Sequence, residues 1–222
     1  GEKLLPVIGD VLDRIERVSA RLRDDTDNEM LTIHSTAAFA GQWLIPRLSD
    51  FQQRHPAITI RLSPSPVFAG FQDLEPDVAI RWGRRSFPGV VMEKLFDVDT
   101  FPACAPSLLE GGAPLGSAAD LVHHRLIHDD DGEAWQAVLG EGALADRDRG
   151  RDLFYADTLL ALQAAVDGQG VIAGGSVNAA QHLATGHLVI PFDLIVPGRN
   201  AYYLYTPEER RERTKIAAFH DW

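Results

Sequence analysis

Residues 30–63, MLTIHSTAAFAGQWLIPRLSDFQQRHPAITIRLS, read as strand, polar junction, helix and strand. The apolar run 30–33 is the first strand. Residues 37–54 follow as an amphipathic helix whose apolar side carries Phe39, Trp43, Leu44, Leu48 and Phe51. After His55-Pro56, residues 57–62 alternate Ile58 and Ile60 with Thr59 and Arg61, the pattern of a half-buried strand. A strand–helix–strand unit of this length implies a parallel sheet. The carboxyl end of the first strand meets the start of the helix at Ser35-Thr36. Free backbone N–H groups and the positive end of the helix dipole make that junction a natural contact for a ligand. Pro46 lies inside the helical stretch, and its missing N–H predicts a bend or restart near Leu44 and Ile45.

Working outward, Ser63-Pro64-Ser65-Pro66 predicts a strand-end loop, and residues 67–74 a short helix. Residues 77–83 read as a third, buried strand stopping at a turn with Arg84 and Arg85. Residues 90–98 form a fourth strand and run on into 99–106, an extended stretch interrupted by Pro102, as expected of a segment crossing between two lobes. Beyond it come strands at 125–128, 153–155, 171–173 and 201–206, and helices at 133–139, 158–167 and 177–184. Asp157 caps the second of these helices and Gly168 stops it. Residues 187–192 look extended, and a final helix runs from 208 to about 220. A second α/β lobe is therefore expected.

Ligands of open parallel sheets bind outside the carboxyl ends of the strands. The polar groups at those positions are Ser35, Thr36, Ser63, Ser65, Arg81, Thr100, Asp157 and Thr158, with His128 at a further strand end. Their hydroxyls and helix starts suit a small, carboxylate-bearing ligand. The turn 83–88 supports an anionic ligand if Arg84 or Arg85 folds over the cleft, and says nothing if both face water.

Other chemistry finds little support. No G-x-S-x-G, P-loop, H-E-x-x-H or dinucleotide fingerprint occurs, so neither an enzyme nor a cofactor is expected. His123, His124, His128 and Asp129-Asp130-Asp131 are metal-ligand types, but adjacent strand residues point to opposite faces, and solvated surface is the plainer reading. Cys104, the single cysteine, sits in an apolar segment. It reads as a buried, inert thiol in a reducing, cytoplasmic setting. Lys and Arg number 21 against 32 Asp and Glu, a formal charge of −11 that argues against this piece wrapping DNA by itself. No apolar run approaches the roughly 20 residues of a membrane span.

At the start, Leu4, Ile8, Val11, Ile15, Val18 and Leu22 repeat at spacings of 4 and 3, an a/d stripe over nearly three heptads. A helix pairing with another subunit is the preferred reading; a helix packed on its own lobe is the alternative.

Five stretches in order, LTIHSTAAFAGQWLIPRLSDFQQRHPAITIRL, DLEPDVAIRWG, EKLFDVDTFPACAPSLLE, ADTLLALQAAVDGQGVIAG and LVIPFD with YYLYTPEERRERTKIAAFHDW, resemble the effector-binding part of LysR-type transcriptional regulators, in the glycine-cleavage-activator-like branch. The resemblance implies an α/β fold of two Rossmann-like lobes joined by crossing strands, similar to type 2 periplasmic binding proteins. It implies a linker helix over 1–25, lobe I over 30–99 and 206–222, and lobe II over 100–205, with crossings at 99–103 and 203–206. An inducer would lie between the lobes, touching Ser35, Thr36, the hinge residues Thr100 and Phe101, and Asp157 and Thr158. Subunits would pair as homodimers or homotetramers through the 37–54 helix, with Trp43 and Leu48 on its contact face, and through the linker helices. DNA would be read only by a winged helix-turn-helix expected upstream of Gly1. A free-standing solute-binding protein of the same architecture is the second reading.

Overall fold

The structure, a computed structural model, describes residues 30–64, 76–110, 112–140, 149–198 and 200–222. The expected linker helix with Leu4, Ile8, Val11, Ile15, Val18 and Leu22, the short helix over 67–74, and Ser65 lie outside the described residues.

The strands are β1 (Met30–Ser35), β2 (Thr59–Pro64), β3 (Val78–Trp82), β4 (Val90–Asp97), β5 (Thr100–Ala103), β6 (Leu126–His128), β7 (Leu153–Phe154), β8 (Val171–Gly175) and β9 (Ala201–Pro207). Five of them make a first sheet in the order β2-β1-β3-β9-β4; the other four make a second, β5-β8-β6-β7. In each sheet three neighbouring strands run parallel: β2, β1 and β3 in the first, and β7, β6 and β8 in the second. The parallel strands therefore end together, and each sheet offers one polar rim.

The helical stretch after β1 shows how the chain accommodates a proline. It consists of α1 (Ala37–Phe39), a π-helical turn (Ala40–Leu44) and α2 (Ile45–Arg54). In a continuous α-helix the Pro46 ring would clash with the carbonyl four residues back, and its absent N–H would leave that carbonyl unpaired. The widened turn, in which the Ile45 N–H reaches the Ala40 carbonyl, removes that conflict. The bend expected from the sequence takes this form.

Alternation along β1 buries Leu31, Ile33 and Ser35. The two leucine-type positions join Phe39, Leu44, Phe51, Val78 and Ile80 in the first core, closed by Ile216 and Phe219 of α6 (Thr214–Asp221). Lys215 of the same helix pairs with the Asp77 carboxylate at 2.9 Å and also donates to the Met30 carbonyl at 2.7 Å. That carboxylate also accepts from Thr32 N–H, so the two shielded charges are paired and hydrogen-bonded.

The second sheet is covered on both faces. Phe101 and Ala103 of β5 pack with Leu162 and Ala165 of α4 (Thr158–Val166). On the other face Cys104 packs with Trp135 and Val138 of α3 (Glu133–Leu139). Trp135 is wholly buried and its indole N–H donates to the Ile127 carbonyl at 2.9 Å. Burial pushes the Cys104 thiol up to about 11, so the thiolate is absent at neutral pH and the group is inert.

Several expectations need correction. The crossing expected at 203–206 lies earlier: β9 is wholly in the first sheet, between β3 and β4, and the chain crosses through residues 196–200. Six of the seven residues of β9 are buried, so its apolar run marked a central strand rather than a connector. Ser63 and Pro64 continue β2 instead of ending it, because β2 is an edge strand and bonds only to β1. The final helix begins at Thr214 after a short 3₁₀ turn at Glu208–Arg210. The helix after β8 begins only at Ala180, as α5 (Ala180–Ala184). Residues 187–192 make a single bridge, Val189 to Cys104, rather than a strand.

Candidate functional site

The two polar rims face each other across two crossings. On one side Val98 leads into Asp99, whose carboxylate accepts from Gly198 N–H at 3.0 Å while Ser176 N–H donates to its carbonyl at 2.8 Å. Thr100 and Val196 exchange both backbone hydrogen bonds, at 2.9 and 2.8 Å. The crossings touch so closely at Gly198 that a Cβ there would sit 2.2 Å from the Val98 carbonyl oxygen. Only glycine allows that approach.

Around this hinge lies a cavity of about 480 Å³ bounded by both lobes. Trp82 reaches it from the first sheet, Asn200 and Thr100 from the crossings, and Asp130, Glu133 and Gln136 from α3 and the turn before it. Asp130 is already engaged: its carboxylate accepts from the N–H groups of Gly132 (2.7 Å) and Ala134 (2.8 Å), capping the helix.

Beside the cavity the lobes are in contact, α1 against α4 and the π turn against α5. Tyr202 is the bridge. Its ring lies between Phe39 (centroids 4.5 Å apart) and Trp82 (5.2 Å), and its hydroxyl donates to Asn178 Oδ1 of the second lobe at 3.1 Å. Thr36, which caps α1 by accepting from Phe39 N–H at 3.3 Å, also hydrogen-bonds the Tyr202 hydroxyl. Burial pushes the Tyr202 phenol up, and the neighbouring Asp129 charge adds to the shift. Asp129 is itself half-buried, and its partial loss of water raises its carboxyl above the usual carboxylate range. The Thr158 hydroxyl that it accepts opposes the rise, while Asp130 and Asp157 add to it.

The residues singled out from the sequence separate into groups. Thr36 and Thr158 meet in the bridging cluster, and Thr100 lines the cavity. Asp157 caps α4, accepting from Leu159 N–H at 2.8 Å. Ser35 is wholly buried at the end of β1 and its Oγ has no hydrogen-bond partner. Ser63 is half-buried on the edge strand, opposite His34. Arg81 is buried on the first sheet and donates to the Ile80 carbonyl; partial burial lowers the His34 imidazole, and the Arg81 charge adds to that.

Two placements differ from expectation. Phe101 points into the second lobe's core, because strand alternation sends Thr100 to the cavity and its neighbour to α4. His128 is 1% exposed, stacks on Phe154 at 4.6 Å and bonds Asp152 at 3.3 Å, so it braces β6 against β7. The turn with Arg84 and Arg85 says nothing of the ligand's charge. Arg84 and Arg85 are exposed on their turn, and neither lines the cavity. His123, His124 and Asp129–Asp131 do not converge: His124 turns to the Pro114 carbonyl and Asp130 to its helix.

Tyr202, Asn178, Trp82 and Asp129 were not picked out from the sequence as site residues. Tyr202 sits among similar residues in AYYLYT, and only the position of β9 distinguishes it. Asn178 fell inside an expected helix that starts two residues later. Asp129, in contrast, carried a signal: an acid directly after a short apolar strand stands on the rim of the sheet.

On the outer side of the first lobe, Trp43 stacks on Phe39 at 5.1 Å and carries the Arg47 guanidinium 4.5 Å above its ring. With Leu44, Leu95, Phe219 and Trp222 it lines an open groove of about 570 Å³, and Leu48 packs half-buried on the core beneath. Ile45, 55% exposed, stands on α2 itself.

Comparison with known proteins follows this geometry. The family model described as LysR substrate binding domain matches residues 24–222. The glycine cleavage system transcriptional activator of Escherichia coli is 32% identical over 222 residues, spanning all of this chain and 73% of that protein. Among solved structures, the effector domain of the transcriptional regulator AmpR of Pseudomonas aeruginosa superposes with a TM-score of 0.72 at 30% identity, covering 87% of this chain and 92% of that one. The regulatory domain of CrgA, a LysR-type transcriptional regulator from Neisseria meningitidis, shares the fold at 18% identity, with a TM-score of 0.70 over 86% of this chain and 95% of that one.

Proposed function

The chain belongs to the LysR substrate-binding domain family, and from that premise we propose that it senses a small polar effector held between its two lobes and reports the occupancy to DNA-binding domains upstream. The observation that carries this reading is the cavity of about 480 Å³ shared by both lobes around the Thr100–Val196 hinge. A ligand seated there touches both lobes at once, so its affinity depends on how they are set. Such differential affinity is what a switch requires, since a ligand indifferent to the two settings shifts nothing. The relatives' names as transcriptional regulators support this reading, and we propose with it a cytoplasmic protein that works as a homodimer or homotetramer.

The test begins with a thermal-shift screen of the purified chain against amino acids, organic and aromatic acids, amines, purines and cell-wall fragments. A ligand bound only by the native state raises its melting temperature by mass action. The reading expects one chemical class to stand out. Thr100→Val, which keeps the shape and removes the hydroxyl from the cavity, should weaken that ligand several-fold by calorimetry without lowering the melting temperature appreciably. Unchanged affinity would remove the hinge cavity from the site.

A further inference from the structure

We propose that His182 and His187, on the second lobe, form a binding site for a divalent transition-metal ion of the zinc or copper class. The stretch HLATGH does not have a usual ligand spacing, and the fold supplies the approach. Helix α5 ends at Ala184, Thr185 caps it, and Gly186 takes the left-handed conformation (φ 73°) that turns the chain back. Leu188, wholly buried, donates its N–H to the His182 carbonyl at 3.1 Å and pins the turn. The two imidazole rings then stand 6.2 Å apart between centroids, at an interplanar angle of 66°. An ion held at about 2.0–2.1 Å by one nitrogen of each ring leaves the ring centres roughly 5–6.5 Å apart. The pair is already at ligating separation.

The hydrogen bonds around Thr185 fix the state of His187. The Thr185 hydroxyl has a single proton, which goes to the Gln181 carbonyl at 2.9 Å, with the His182 carbonyl at 3.3 Å sharing it. Carbonyls only accept. At the 2.8 Å contact between that hydroxyl and His187 Nδ1, the ring is therefore the donor. Neutral His187 carries its proton on Nδ1 and leaves the Nε2 lone pair free. Metal-ligating histidines are oriented in this way, their second nitrogen donating to a neighbouring oxygen. His182 brings an independent observation: it is half-buried, and its Nδ1 is enclosed without a hydrogen-bond partner. A polar atom kept from water in this way is unusual, and a metal ion would supply the partner. Burial, and then the nearness of His187, lower the His182 imidazole, so the ring is neutral at pH 7 as a ligand must be. Imidazoles suit zinc and copper, whereas magnesium and calcium take oxygen ligands. Among the described residues no third imidazole, thiolate or carboxylate completes a cluster, so water fills the remaining positions and the ion is exchangeable.

The experiment titrates zinc chloride, copper sulfate and magnesium chloride into the whole chain, free of any tag and treated with chelator, by calorimetry at pH 7.5. One zinc or copper ion per chain is expected, with no binding of magnesium. His187→Gln and His182→Gln should each weaken the binding at least about tenfold, and the exposed His123→Gln should leave it unchanged. Affinity should fade as pH is lowered to about 5.5, because protons compete for both rings. Zinc should also raise the melting temperature of the wild type and not that of His187→Gln. Failure to find saturable binding tighter than about 100 μM would overturn the inference. So would an affinity that His187→Gln leaves intact, since the ion then sits elsewhere. His187 is exposed, so that variant stays folded and decides the question even where His182→Gln does not.

Discussion

Asp129 shows how much depends on where a single carboxylate stops. It follows β6 directly, so strand geometry puts it on the rim, where it is half-buried beside Thr158, Asp130 and Asp157. Its folded-state pKa is raised above the unfolded value. The neutral form therefore favours folding; its contribution is whole below the usual carboxylate range and is lost as pH rises through the raised value. Asp129→Asn should remove that loss, leaving the melting temperature flatter than the wild type's as pH rises above the usual carboxylate range. A profile as steep as the wild type's would mean that the charge is satisfied in the free protein. Thr36 is the opposite case at the same scale. Its capping role has a local cause, a threonine directly before an amphipathic stretch, although the sequence was read there only as a ligand contact; its bond to Tyr202 depends on a strand 166 positions away and had no local mark.

At the scale of elements, the strand–helix–strand unit was legible because apolar periodicity and Pro46 act locally, and both are expressed in β1, α1, α2 and β2. The π turn has already released the carbonyl that a proline would block. Pro46→Ala should accordingly change stability by no more than about 1 kcal/mol in urea unfolding, rather than relieving the roughly 3 kcal/mol of a proline forced into a regular helix. A gain near the larger figure would show that the ring still strains the helix. The strand β9 was legible as a strand but not as a member of the first sheet, since its partners β3 and β4 are chosen by packing against the core and not by its own residues. The α2 face raises a further expectation. Trp43, Leu44 and Leu95 line an open apolar groove, and Ile45 stands exposed on the helix. If copies of the chain meet there, Ile45→Asp lowers the molar mass measured by light scattering at a fixed concentration; an unaltered mass would assign the contact to another surface.

For the whole molecule, two sheets share one seam because the chain crosses between them twice, and the crossings press together at Gly198 and Val98. The sequence carried the two-lobe plan through its repeated α/β texture and its resemblance to a family. It carried less of the site, because the seam is assembled from β1, β3, β6, β9 and the turn after β8, and no local pattern specifies how those ends meet. The central claim is that an effector bridges the lobes. Amide hydrogen exchange of the chain, with and without the strongest ligand from the thermal-shift screen, tests it most directly. The account predicts protection on both sides of the seam together, around residues 36–39, 98–101, 129–136 and 196–202. Protection confined to one lobe, or to the outer groove around Trp43 and Trp222, would contradict it.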